Sequence, residues 1–238
     1  MKKHIYLVAC YISIIMVALF AAHGISRSIT VISEMEPVKW KHCVIVDPGH
    51  GGEDGGAISL TGSLESSYNL QISQRLNDLF HLLGYNSKMT RTKDISIYRK
   101  GETLAQKKIS DLKERVRIVN NTENGLLLSI HQNHFPDKRY RGAQIFYADT
   151  AGSKELATLM QTGFLSALNP ESNRKCKKSE GVYIMEHITK PGILIECGFI
   201  SNSEEEQLLK TPEYQKKLCC VIASVTAEYL RMGIIANT

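Results

Sequence analysis

Apolar residues recur along positions 42–232 in two alternating rhythms. The segments 42–46, 86–90, 126–130, 143–147, 182–185 and 193–195 are short runs of aliphatic and β-branched residues, and each predicts a strand. Stretches of helical spacing separate them. Leu70, Ile72, Leu76 and Leu79 fall on one face, and so do Leu112, Val116 and Val119 within 110–121. Ser110 is the expected cap of that second helix, although Lys113 stands where a capping box would place Glu. A last helix opens with Thr211-Pro212-Glu213, a hydroxyl cap followed by proline at the first helical position. It continues through Leu218, Ile222, Val225 and Tyr229. Strands that alternate with helices predict an α/β fold: a single domain with a mostly parallel, twisted sheet of about six strands and helices on both faces. No internal repeat or low-complexity tract interrupts the pattern.

The first residues follow a different rule. Lys2, Lys3 and His4 precede a run from 5 to 22 without a charged residue. A basic flank before an apolar stretch reads as an export signal or a membrane anchor, and the run is about long enough to span a bilayer, which takes roughly 18–20 residues. Ala22-His23-Gly24 offers a small-x-small cleavage motif, so both readings stand, with an uncleaved anchor favoured. An anchor would keep Lys2 and Lys3 in the cytoplasm and place the rest outside. The expected organisation is a signal or anchor at 1–24, a polar spacer at 25–40 and a catalytic domain at 41–235. The 238 residues are ample for one well-buried core. A net charge of +5 favours an anionic wall or membrane surface. No aromatic-interleaved basic stripe, helix-turn-helix cue or zinc-finger spacing is present, so nucleic acid is not an expected partner. The six cysteines form no C-x-x-C pair, and Cys43 and Cys197 lie in apolar runs, so neither a cysteine metal site nor a disulfide framework is expected.

The candidate chemistry gathers where strands end. The first strand leads into Asp47-Pro48-Gly49-His50-Gly51-Gly52, the third into His131 and the last into Glu196. In open α/β sheets sites lie beyond the carboxyl ends of strands, which brings these groups to one edge. Glu65 follows the glycine-rich loop at the start of a helix and can reach the same edge. Two histidines and a carboxylate are a ligand set for catalytic zinc that leaves a position open, and a second carboxylate can serve as general base. His50, Glu65 and His131 are therefore read as ligands of one zinc ion and Glu196 as the base, with His134 and His187 as rival ligands. Taken singly, each has a plainer reading: a satisfied histidine at a strand end, or a solvated charge at a helix start. Glu196 is the exception, because a carboxylate after an apolar run is costly unless paired or functional. The glycine pattern lacks the lysine and serine of a phosphate-binding loop.

With these residues in view, positions 42–232 resemble the zinc-dependent N-acetylmuramoyl-L-alanine amidases. The resemblance rests on Val46-Asp47-Pro48-Gly49-His50-Gly51-Gly52, on Glu65 with Leu70, on Thr90-Arg91-Thr92-x-Asp94, on Ser129-Ile130-His131-x-Asn133, and on Ile195-Glu196-x-Gly198-Phe199-Ile200-Ser201-Asn202. It implies the same zinc ligands and the same glutamate, and hydrolysis of the amide between N-acetylmuramic acid and L-alanine in peptidoglycan. The absence of wall-binding repeats and the single N-terminal apolar segment resemble most the amidases that modify spore cortex. Departures are Gln132-Asn133-His134 after the second histidine, Glu65-Ser66 where Glu-Lys is frequent, and Cys197 in place of valine or leucine. Asn133, Arg174, Lys177 and Asn202 are read as substrate contacts. Arg174 and Lys177 belong to one of two basic stretches, of which one or both are expected to line a groove, the plainer reading being solvated surface; the other runs over 95–109 with Arg99, Lys100, Lys107 and Lys108.

Three rivals stand beside this reading: a catalytically inactive wall-binding or regulatory homologue, a different zinc hydrolase, and a structural membrane protein. All four key residues are intact, no H-E-x-x-H is present, and a structural protein has no use for Glu196. Because the domain nearly fills the chain, an exported activating or localising partner is expected besides peptidoglycan, as is contact with a membrane through the N-terminal segment.

Overall fold

The computed structural model describes residues 13–17, 20 and 41–233. The chain divides into two units, 1–39 and 40–238. In the first, 13–17 and 20 are helical, and Ile14, Ile15, Met16, Val17 and Phe20 are exposed. No helix among the described residues is long and apolar enough to cross a membrane. The basic flank, the cleavage motif and the 25–40 spacer lie outside the described residues.

The second unit is built on a six-stranded sheet in the order β2-β1-β3-β6-β4-β5. Its strands are β1 (Cys43–Pro48), β2 (Asn86–Met89), β3 (Gly125–Asn133), β4 (Gln144–Tyr147), β5 (Lys177–Lys178) and β6 (Gly192–Phe199). The pairs β1–β2, β1–β3 and β3–β6 are parallel, and β4 runs antiparallel to β6. The helices are α1 (Glu65–Leu82), α2 (Leu104–Asn120), α3 (Ser153–Ala167), α4 (Tyr183–His187), α5 (Ser203–Leu209) and α6 (Pro212–Arg231).

Two-residue alternation divides the strands between two cores. Val44, Val46, Leu126, Leu128, Ile130, Ile193 and Ile195 face the larger, where Ile72, Leu76 and Phe80 of α1 meet α3 and α6. Ile45, Leu127 and Leu194 face the smaller, closed by Val119 of α2 and by Ile184, Met185 and Ile188 at α4. The strands are therefore covered on both faces, which is why they read as continuous apolar runs.

Two expectations need correction. The run 182–185 is not a strand but the short helix α4. Tyr183 and His187 stack one turn apart with ring centroids at 3.9 Å, and the Glu186 carboxylate accepts from Gly181 N–H. The sixth strand is instead β5, whose two lysines pair with Phe146 and Tyr147. The second helix also begins before Ser110. Thr103 caps α2 in a full capping box with Gln106, and the Ser110 hydroxyl accepts from Arg99 N–H and Lys100 N–H, holding the preceding loop. The expected start of α6 is met, with Thr211 accepting from Tyr214 N–H and Pro212 in the first turn.

Candidate metal centre

The loop after β1 delivers the first histidine. His50 has φ +61°, a left-handed conformation uncommon outside glycine and concentrated at functional sites. Its neighbours must be small. A Cβ on Gly49 would lie 2.3 Å from the His131 ring, and a Cβ on Gly56 would lie 2.6 Å from Glu65 Oε2 and 2.8 Å from the His50 ring. Without those side chains the two imidazoles meet edge to face, with centroids 5.0 Å apart.

Glu65 completes the group from the first position of α1, where a negative charge suits the helix dipole. Its Oε1 lies 3.0 Å from His131 Nδ1 and its Oε2 lies 3.3 Å from His50 Nε2. Ligand atoms of His50, Glu65 and His131 all fall within 4.8 Å of one another. Two imidazole nitrogens and one carboxylate oxygen suit zinc with a position left open. Surrounding donors hold the carboxylate: Ala57 N–H, Gln132 N–H and Asn69 Nδ2 all donate to it. On the far side of His50, Nδ1 lies 3.0 Å from Asp54 Oδ2, and Asp54 is held in turn by Lys108 Nζ at 3.1 Å. Burial pushes the His50 imidazole down and the Glu65 carboxyl up. Pairing with Asp54 and then Glu65 outweighs burial at His50, which rises to about 9, and pairing with His131 and then His50 outweighs it at Glu65, which falls well below the usual carboxylate range.

Glu196 stands directly across from His131 in the β3–β6 register. It lies inside β6 rather than at its end, since the strand continues to Phe199. Its Oε2 is out of contact with solvent and makes no hydrogen bond among the described residues. Burial raises its carboxyl to about 7, with the charge of Glu65 adding in the same sense. An orphaned buried carboxylate oxygen beside a cluster of metal-type donors suits a bound cation and its water.

Two arginines fix the loop, and sequence reasoning gave them no role. Arg115, 2% exposed, donates to Asp47, to Asp111 and to the carbonyls of Pro48 and His50. Arg91 donates to the carbonyls of Pro48, Gly49 and Ser66. Asp47 also accepts from Thr90 and Ser129. Burial pushes its carboxyl up, but Arg115 and these hydroxyls overcome that and hold it below its ordinary value. The available signal was opposite charge at i and i+4, Asp111 and Arg115, on the side of α2 that is buried.

The rival histidines stay apart. His134 is exposed on the loop after β3, and His187 Nδ1 bonds the Tyr183 carbonyl. Of the expected substrate contacts, Asn202 is occupied as the cap of α5 and as donor to the Lys138 carbonyl. Asn133 ends β3, where its carbonyl accepts from Ile200 N–H. Lys177 is exposed on β5, and Arg174 lies over the rings of Tyr140 and Phe199. In the other basic stretch Lys107 pairs with Glu53 and Lys108 with Asp54, so these lysines brace the glycine-rich loop.

Known proteins are similar to this chain in sequence and fold. Residues 44–226 match the N-acetylmuramoyl-L-alanine amidase family model. The germination-specific N-acetylmuramoyl-L-alanine amidase of Bacillus subtilis is 38% identical over 181 residues, covering 75% of this chain and 76% of that protein. Among solved structures, the CwlD amidase of Clostridioides difficile, in complex with the GerS lipoprotein, superposes with a TM-score of 0.77 at 35% identity, over 80% of this chain and 99% of that one. An N-acetylmuramoyl-L-alanine amidase of Clostridium difficile 630 gives a TM-score of 0.70 at 30% identity, over 81% and 98%.

Proposed function

This chain belongs to the N-acetylmuramoyl-L-alanine amidase family, and on that footing we propose that it hydrolyses the amide between N-acetylmuramic acid and L-alanine, with one zinc ion held by His50, Glu65 and His131 and with Glu196 as general base. The observation that carries this reading is the gathering of three metal-type donors within 4.8 Å beside the Glu196 carboxylate, whose Oε2 has no hydrogen-bond partner among the described residues. Zinc in such a donor set supplies Lewis-acid polarisation of the scissile carbonyl. Glu196 takes the proton of the attacking water and returns it to the departing amine of L-alanine; its carboxyl near 7 suits both transfers. Asp54 fixes the His50 ring so that Nε2 faces the cluster, and Arg115 and Arg91 hold the loop carbonyls that set the position of that ring.

Likeness to the germination-specific amidase supports a role in spore cortex modification. The complex of the C. difficile amidase with a lipoprotein supports an exported partner that localises or activates the enzyme. In this proposal residues 1–24 export or anchor the chain, 25–40 space it, and 41–235 act outside the cytoplasm on peptidoglycan, with Asn133 and Lys177 near the groove. The test is incubation of the zinc-loaded chain with purified peptidoglycan and identification of the fragments by mass. Free L-alanyl peptide ends and intact muramic acid are expected. Glu196→Gln should keep zinc and lose about 10²–10⁴ in rate, and His131→Ala should lose zinc. Full activity in Glu196→Gln, or wild-type zinc affinity in His131→Ala, overturns the assignment.

A further inference from the structure

Beyond the reacting centre, the carboxyl ends of β3 and β6 carry a group of aromatic rings that no step of the chemistry uses. Chain leaving β3 turns back across β6: Phe135 N–H donates to the Ser201 hydroxyl, and Asn202 Nδ2 donates to the Lys138 carbonyl. The turn brings the Phe135 and Tyr140 rings together at 4.7 Å and 63°, and sets Tyr140 6.2 Å from Phe199. Below them Phe199 is buried. The Arg174 guanidinium lies 5.1 Å from the Phe199 ring and 5.9 Å from the Tyr140 ring. Arg174 is itself held by the Arg141 carbonyl and by Gln144 Oε1, each at 3.3 Å. The base of this stack is thus tied to the sheet, while its top is open: Phe135 is 45% and Tyr140 46% exposed. A hollow of about 280 Å³ lined by Asp137, Arg139 and Tyr140 lies at its edge.

Two adjoining rings left open to water on a fixed base have the form of a stacking surface. Its chemistry selects the occupant. A pyranose ring offers a face of C–H bonds, which suits the electron-rich face of an aromatic ring, and a rim of hydroxyls, which suits the outer edge of the Asp137–Arg139 ion pair at 2.7 Å. A peptide stem offers no comparable flat face. Position agrees: Phe199 lies three residues beyond Glu196, and Phe135 four beyond His131, which puts them at most roughly 10–14 Å away along the chain. That span covers about one or two sugar rings along a strand from the scissile amide.

Resting on the amidase reading, we propose that Phe135 and Tyr140, backed by Phe199 and Arg174, form a platform for a saccharide ring of the glycan strand flanking the muramic acid that is cut. Arg174 then acts from beneath the ring and does not touch the substrate.

The experiment compares the full, zinc-loaded chain with Phe135→Ala, Tyr140→Ala and Tyr140→Phe. Each is assayed on peptidoglycan with long glycan strands and on a single muramyl peptide, and for co-sedimentation with peptide-free glycan strands. Both alanine variants should raise KM on long strands about 3–10-fold, the worth of one aromatic contact. The kcat and the KM for the single muramyl peptide should stay within twofold. Glycan binding should weaken in parallel, Tyr140→Phe should behave as wild type, and zinc content and melting temperature should not move. An unchanged KM on long strands overturns the platform, and so does an equal loss on the single muramyl peptide. If the wild type cleaves nothing yet binds glycan through these rings, the amidase reading fails and the platform stands. If the wild type cleaves and the variants match it, the platform fails alone.

Discussion

Glu196→Gln should make the metal-free protein more stable, and the gain should depend on pH. The side chain is nearly isosteric, so the change acts mainly on charge. Burial raises the carboxyl from its ordinary 4.5 to about 7. At about 1.4 kcal/mol per pH unit, the ionised form in the folded chain is therefore about 3 kcal/mol worse off than in the unfolded chain. The sign follows from linkage. Below 4.5 both states hold the proton, and the native state suffers no penalty. As pH rises towards 7 the unfolded chain gives up its proton first, so native stability falls, and above about 7 the whole penalty is present. Calorimetry of wild type and variant, stripped of metal, should give equal melting temperatures near pH 4. At pH 8 the variant should melt roughly 6–12 °C higher, at about 2–4 °C per kcal/mol for a domain of this size. Adding zinc should close much of the gap, because a cation beside the carboxylate stabilises its ionised form. Equal melting temperatures at pH 8, or the same gap at pH 4 and pH 8, would refute the reasoning, since a packing effect has no such pH dependence.

Three further outcomes are expected. Arg115→Met strands the buried Asp47 and Asp111 carboxylates and should destabilise by roughly 3–5 kcal/mol, a fall in melting temperature of about 6–20 °C; a drop of less than 3 °C at pH 7, read by circular dichroism, counts against the scaffold role (about 1 kcal/mol). Gly56→Ala forces a side chain into a left-handed position (φ +70°) and onto Glu65 Oε2 at 2.6 Å; titration calorimetry should show zinc binding abolished while the far-ultraviolet spectrum is retained, and tight binding would contradict the packing argument. Asp54→Asn removes the charge that orients His50 and should weaken zinc about 10–100-fold in competition with a chromogenic chelator; a change under threefold (about 0.7 kcal/mol) would mean that Asp54 serves only the loop.

The site was more legible than the frame around it. His50, His131 and Glu196 each follow an apolar run in a parallel sheet, and such runs point their ends at one edge, so these three could be grouped without coordinates. Glu65 was reachable because a helix start after a glycine-rich loop returns to the same edge. The run 182–185 was not legible as a helix, since four apolar residues are too few for a period to decide. What settled it was the local turn at Gly181 and the stacking of Tyr183 on His187. The true cap of α2 was hidden because Thr103 and Gln106 stand in a basic stretch that reads as an insert. Arg115 was hidden for the opposite reason: Leu112, Val116 and Val119 supplied an adequate apolar face, yet the residues that α2 buries most are Asp111, Glu114, Arg115 and Val119.

The placement of β6 between β3 and β4 has a consequence for the order in which this protein comes into being. β6 is the last strand among the described residues and enters the interior of the sheet. A growing chain that has not yet reached Gly192 leaves the edge of β3, and with it His131, without its neighbour. Such a chain carries three metal donors but lacks Glu196 across from them. Every N-terminal fragment that stops short of Glu196 is thus without the proposed base, which joins the metal donors only when β6 enters the sheet beside β3.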